Sequence, residues 1–267
     1  MSDDAITKFK QAQREGWAYF TPLEAVTTPS AALLVKFARV RAGQHVLDVG
    51  CGTGVAAITA ARLGANVCGI DLTPELLTRA EENARIAEVQ VDWREGDAEQ
   101  LPHEDAAFDV VLSQFGHMFA PRPQVATREM LRVLKPGGTI AFATWPPTLC
   151  IGRTFTLVAS YMPPAPPGVS PPPEWGDANI VRQRLHEKVT NITFHIERML
   201  VPALSPQHYR TQIEMFAGPM RKLVETFSGS DPARLAHFRR EYDAIIRDYI
   251  EGNVVKQDYL LTRATKI

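Results

Sequence analysis

Cysteine is scarce in this chain: Cys51, Cys68 and Cys150 are scattered, odd in number and form no Cys-x-x-Cys pair. A disulfide framework is excluded and no zinc-site spacing is offered. Long apolar runs are missing as well, since no stretch approaches the roughly eighteen residues of a membrane span. The opening MSDDAITKFK is polar and acidic where a secretory leader is basic and then apolar, so the expected setting is the cytoplasm. Charge of one sign is also absent: 29 Lys and Arg against 30 Asp and Glu leave a net charge of −1 at pH 7. That balance argues against nucleic acid as the main partner. No repeats occur, no Gly-x-Ser-x-Gly elbow precedes a helix, and no His or acid pair at i, i+4 has a third ligand at usable spacing. Triad hydrolysis and metal catalysis are not indicated, and no metal is expected.

What is present is the nonapeptide VLDVGCGTG, residues 46–54, an apolar run that ends on glycines alternating with other residues. It reads as a buried strand, a tight turn of Gly50, Cys51, Gly52, Thr53 and Gly54, and an Ala-rich helix over residues 55–63. A helix start at the end of a central strand presents unpaired N–H groups to a nucleotide-type ligand. The dinucleotide fingerprint needs a glycine at the sixth place, where Val55 stands, and the Gly-Lys-Ser/Thr ending of a phosphate loop is absent. A nicotinamide-dependent oxidoreductase is therefore disfavoured.

Further strands read at residues 66–71, 89–97, 108–114, 138–145, 191–201 and 254–265, with helices at 31–40, 73–86, 125–134, 152–162, 177–188, 205–227 and 231–250. Residues 1–20 read as a short helix over the front of the domain, and 21–30 as a loop punctuated by two prolines. Asp71 ends the second strand about twenty residues past the first glycine, where a carboxylate meets ribose hydroxyls, with Leu72 next to it; the alternative is helix capping, for which Thr73 is available. Gln114 and His117 follow the fourth strand and border the ligand crevice. His117 is the candidate base, against the alternative of a core histidine satisfied by the backbone. Phe115, Met118 and Phe119 either line an acceptor pocket or pack in the core. The proline-rich stretch 163–173 reads as an extended linker or lid.

Acid-x-Gly-x-Gly-x-Gly, from Asp48 to Gly54, resembles motif I of the class I S-adenosylmethionine (SAM) methyltransferases. The phrase E-x-x-R-V-L-K-P-G-G-T at residues 129–139 and Gly-Asp-Ala followed by Leu-Pro at 96–102 are further hallmarks. Within the superfamily the chain is most similar to small-molecule methyltransferases grouped with ubiquinone and menaquinone biosynthesis. The resemblance implies a single α/β domain over residues 1–267. Its core spans about 30–145: a Rossmann-like, seven-stranded, mostly parallel sheet with helices on both faces. A helical cap is inserted before an antiparallel last strand. It also implies that Asp97 and Ala98 meet the adenine, that Asp48 orders the loop or meets the SAM amino group, and that Tyr19 and Thr28 lie near the methionyl end. The expected activity is methyl transfer to a small apolar or aromatic molecule; the alternative is a non-catalytic SAM-binding module docking a partner.

Overall fold

The computed structural model describes residues 3–267; the first two residues of the expected N-terminal helix lie outside the described residues. Glycine-bounded apolar runs alternate with amphipathic stretches, and the chain builds a parallel sheet from them. Strands β1 (His45–Val49), β2 (Asn66–Asp71) and β3 (Asp92–Glu95) form one half, and β4 (Phe108–Gln114) and β5 (Leu134–Thr144) the other. They pair in parallel in the order β3-β2-β1-β4-β5. The crossovers are α3 (Val55–Arg62), α4 (Pro74–Ile86) and α5 (Pro123–Val133). β1 is buried from Val46 to Val49, as a central parallel strand covered on both faces must be. Ala56, Ala57 and Ala60 of α3 are fully buried, small enough to let the helix lie close to the sheet.

Beyond β5 the sheet turns antiparallel: β8 (Val254–Lys266) pairs with β5, and β6 (Val189–Pro202) pairs with β8. Seven strands make the path, and an eighth, β7 (Ile250–Glu251), folds back onto the start of β8. The expected count of seven is thus one short, because the turn at Gly252, with φ of 58°, pairs two residues the hydropathy pattern does not mark. The cap stands between β6 and β8 as α8 (Pro206–Phe216), α9 (Gly218–Ser230) and α10 (Pro232–Arg247). One helix was expected over 205–227; Pro219 cannot donate to the carbonyl four residues back, and the chain breaks at Ala217, which is extended. α6 (Cys150–Tyr161) and α7 (Ala178–Leu185) lie between β5 and β6.

The N-terminal segment forms α1 (Asp3–Trp17) and α2 (Glu24–Phe37). α2 begins seven residues before the expected 31, running through Pro29, because Ser30, Ala31, Leu34 and Val35 bury one face against the core. Lys135 to Gly138 bulges out of β5, since Phe108 pairs with Leu134 and Val110 with Thr139. The expected helix stop and turn there is a bulge inside a strand. Two apolar cores result. One surrounds the sheet; the other joins Leu223, Phe238, Tyr242 and Ile246 of the cap to Cys150 and Val158 of α6 and Val255 of β8.

Candidate active site

After β1 the chain passes to β2 on one side, and after β3 it returns to β4 on the other, so a crevice opens at the carboxyl ends of β1 and β4. Gly50 and Cys51 donate their N–H groups to the Ile70 carbonyl at 2.8 and 3.0 Å, which folds the loop back over β2. A Cβ on Gly50 would stand 2.8 Å from the Gly116 Cα, and one on Gly116 2.3 Å from the Gly50 carbonyl oxygen, so the loops after β1 and β4 meet backbone to backbone. Gly52 differs: its φ is 54° and a Cβ there would meet nothing within 4 Å. Its bare backbone faces open space.

A single cavity of about 290 Å³ starts at this loop and runs under the cap. Gly50, Cys51, Gly52 and Thr53 line it, with Asp71 and Leu72 at the end of β2. Asp97, Ala98 and Gln114 line it too. The Asp71 oxygens accept from Gly52 N at 2.8 Å and Thr73 N at 2.9 Å, so one carboxylate braces both the glycine loop and the start of α4. Burial raises the Asp71 pKa and these donors offset part of the rise. Each oxygen keeps acceptor capacity for a hydroxyl. Asp97 accepts from the Lys10 ammonium at 2.5 Å and from Glu99 N at 2.8 Å. Gln114 donates to the Thr27 carbonyl and Ser30 hydroxyl, both at 2.7 Å, while its Oε1 is buried without a partner.

Five expected site residues stand off the cavity wall. Asp48 is buried beneath the loop, where it accepts from Ala57 N at 3.0 Å and pins the first turn of α3. Burial pushes its carboxyl up to about 7. Gly54 caps α3 and packs on Trp93, whose ring would lie 2.6 Å from an added Cβ. Thr28 faces outward on α2, donating to the Glu24 carbonyl at 2.9 Å; its neighbour Thr27 lines the cavity instead. Tyr19 is 45% exposed with the Arg221 guanidinium 3.7 Å over its ring. His117 is the main correction. The turn after β4 drives its imidazole into the core, with ring centroids 4.6 Å from both Phe142 and Trp175. Neither ring nitrogen has a partner, and burial, with Arg184 nearby, lowers its pKa to about 3. An imidazole buried off the cavity wall, with its proton affinity lowered, is not placed to take a proton from a molecule in the cavity.

Several cavity-lining residues were not expected. Lys10, Gln13, Arg14 and Trp17 of α1 line the cavity. Their i, i+3, i+4, i+7 spacing is the signal that places them on one helix face. Phe115, expected either to line an acceptor pocket or to pack in the core, lines the cavity with φ of 59°, strained for a bulky residue, and stacks on Trp145 at 4.0 Å between centroids. No residue pattern announces that conformation. The Glu129–Arg132 pair of the E-x-x-R phrase acts structurally: Glu129 accepts from Leu101 N at 3.0 Å, and Arg132 donates to the carbonyls of Leu101 at 2.9 Å and His103 at 2.7 Å. That clamp holds the segment following Asp97.

The donor set fits SAM. A bare glycine backbone, a carboxylate with free lone pairs and the unpartnered Gln114 Oε1, suited to an ammonium, surround one cavity. Residues 47–142 match the family described as "Methyltransferase domain". A protein of Mycobacterium tuberculosis bearing the name "Uncharacterized protein" is 34% identical over 257 residues, covering 95% of this chain and 93% of that one. The ubiquinone/menaquinone biosynthesis C-methyltransferase of Rubrivivax gelatinosus is 40% identical over 104 residues, 39% of this chain and 40% of its own. Phosphoethanolamine N-methyltransferase 2 of Haemonchus contortus, solved with SAM, superposes with a TM-score of 0.53 at 21% identity over 88% of this chain and 51% of that one. The chain is a class I SAM-dependent methyltransferase, with SAM as its cofactor. Within that class it belongs to the same family as the mycobacterial protein, which it matches nearly end to end.

Proposed function

We propose that this enzyme transfers the SAM methyl group to a small apolar or aromatic molecule held between the glycine loop and the cap. The observation that carries this reading is the continuity of the cavity, from the Asp71 carboxylate at one end to a wall of Trp145, Phe155, Val158, Met199 and Met220 at the other. In this reading Asp71 takes the ribose hydroxyls, Asp97 and Ala98 the adenine, and Gln114 with the glycine loop the methionyl end. Bound SAM supplies an electrophilic methyl group on its sulfonium. The chain's own part is alignment and exclusion of water. Holding two reactants in line within about 3–3.5 Å is worth about 7–11 kcal/mol. Among the described residues the cavity wall holds no histidine or glutamate, and its two carboxylates, Asp71 and Asp97, stand at the adenosyl end. Positioning is therefore the contribution this reading assigns to the residues of the wall.

Asp71→Ala and Gly52→Val test the assignment. Asp71→Ala removes the brace and the ribose acceptor, and Gly52→Val puts a branched side chain at φ of 54° into the space the ligand would enter. Calorimetric affinity for S-adenosylhomocysteine is expected to fall at least about tenfold in each, roughly 1.4 kcal/mol or more. Unchanged affinity in both would overturn it.

A further inference from the structure

We propose that Tyr209, Tyr242 and Gln257 form a polar anchor in the cap end of this cavity, selecting an apolar or aromatic acceptor that carries one hydrogen-bond-accepting oxygen. The oxygen is phenolic, enolic or carbonyl. The inference rests on the methyl-transfer reading and adds to it how the acceptor is recognised. The three side chains come from α8, α10 and β8, and all three line the cavity although they are 2%, 0% and 4% exposed. Gln257 Nε2 donates to the Tyr209 hydroxyl at 2.6 Å. That bond occupies a lone pair of Tyr209 and leaves its proton free to be donated.

The Tyr242 hydroxyl is fully buried and no group meets it in hydrogen-bond geometry, although the hydroxyls of Tyr209 and Thr154 are near enough to influence its ionisation. Its ring centroid is 6.5 Å from that of Tyr209, so the two phenols belong to one corner of the chamber. Val158, Val201 and Met220 share that wall and offer no oxygen, and the Thr154 hydroxyl beside them is engaged in donating to the Cys150 carbonyl at 2.9 Å. Burial without a partner is costly for a hydroxyl, and a ligand oxygen supplies the missing acceptor. Burial also holds both phenols above their ordinary ionisation range, so each stays protonated and acts as a donor. Two neutral donors in an apolar chamber favour an oxygen that accepts, and an apolar body fills the remaining space.

The test uses the full chain saturated with S-adenosylhomocysteine and two probes of one shape, 1-naphthol and naphthalene, titrated by calorimetry. Wild type is expected to prefer 1-naphthol by about tenfold or more, the order expected for a buried hydrogen bond. Tyr242→Phe reduces that preference with naphthalene affinity and melting temperature little changed, and Tyr209→Phe combined with Tyr242→Phe abolishes it with naphthalene affinity little changed, the melting temperature falling because Gln257 Nε2 loses its acceptor. Tyr259→Phe is the control, because it removes another buried, unpartnered hydroxyl that does not line the cavity. Its preference stays at the wild-type value. No preference in wild type, including no binding of 1-naphthol, or a preference that survives the double change, overturns the anchor. S-adenosylhomocysteine affinity, measured in the same samples, separates the two readings. Its absence defeats the methyl-transfer site, whereas its presence without naphthol preference defeats the anchor alone.

Discussion

Asp48 shows how a single residue of a glycine-loop motif can hold the loop from beneath without lining the cavity. Its side chain is 1% exposed, one oxygen holds Ala57 N and the other has no partner, so ionisation must be borne in a dry site. The folded value of about 7 lies above the ordinary 3.8. The native state therefore holds a proton that the unfolded chain releases. The stability this gives is fully present below pH 3.8 and is lost as pH rises through 7. Asp48→Asn keeps an acceptor for Ala57 and cannot ionise. In chemical denaturation at pH 4, 6 and 8, the variant is expected to match wild type at pH 4 and to exceed it increasingly towards pH 8. Roughly three pKa units at about 1.36 kcal/mol each set an upper bound of ~4 kcal/mol. A wild type that gains on the variant as pH rises would contradict the argument.

Among the elements, α1 is the one whose placement matters most for the site. Lys10 reaches Asp97 at 2.5 Å and Glu99 at 2.6 Å, Arg14 reaches Glu95 at 2.7 Å, and Gln13 donates to the Phe119 carbonyl at 3.0 Å. Trp17 packs on Phe119 with centroids 4.7 Å apart. The helix thus closes the side of the cavity that Asp97 lines, fastened through Asp97, Glu99 and Glu95. Lys10→Met removes the central fastening while Arg122 still pairs with Glu99. The expected outcome is faster proteolysis near residues 3–17 and S-adenosylhomocysteine affinity weakened roughly tenfold, about 1.4 kcal/mol. Unaltered affinity and cleavage rate would show that α1 is held by its apolar contacts alone.

At the scale of the molecule, the two cores divide the work. The sheet core carries the loops after β1 and β2, and the cap core holds Tyr209 and Tyr242 together with residues of α6 and β8. Inside the cap, Glu214 pairs with Arg210 at 3.0 Å and Arg239 at 2.6 Å, and Arg210 also meets Asp243 at 2.8 Å. Breaking a buried pair by deleting one partner costs about 3–5 kcal/mol. Glu214→Leu is expected to lower stability by about 3 kcal/mol and to speed amide exchange in α8 and α10. S-adenosylhomocysteine should still raise the melting temperature as in wild type, because its site is built on the other core. Loss of that rise would mean that the cap shapes the cofactor end too.

What was legible in the sequence is local. Residues 46–54 announce strand, turn and helix through apolar run and glycine spacing, and Asp71 follows from chain length to the next strand end; both lie where expected. The fold class came with them, because alternating strands and helices of this length must stack into a parallel sheet with covered faces. Side-chain direction was not legible. His117 lies just past β4 as expected, but the turn that follows points it into the core. Thr28 and Thr27 differ by one helical step, and only the docking of α2 decides which of them meets the cavity. Tyr209, Tyr242 and Gln257 lie up to 48 residues apart, and nothing in their neighbours marks them. Periodicity and glycine placement act between nearby residues and so are written in order along the chain. The meeting of α8, α10 and β8 depends on how two cores pack, and only the tertiary structure decides it.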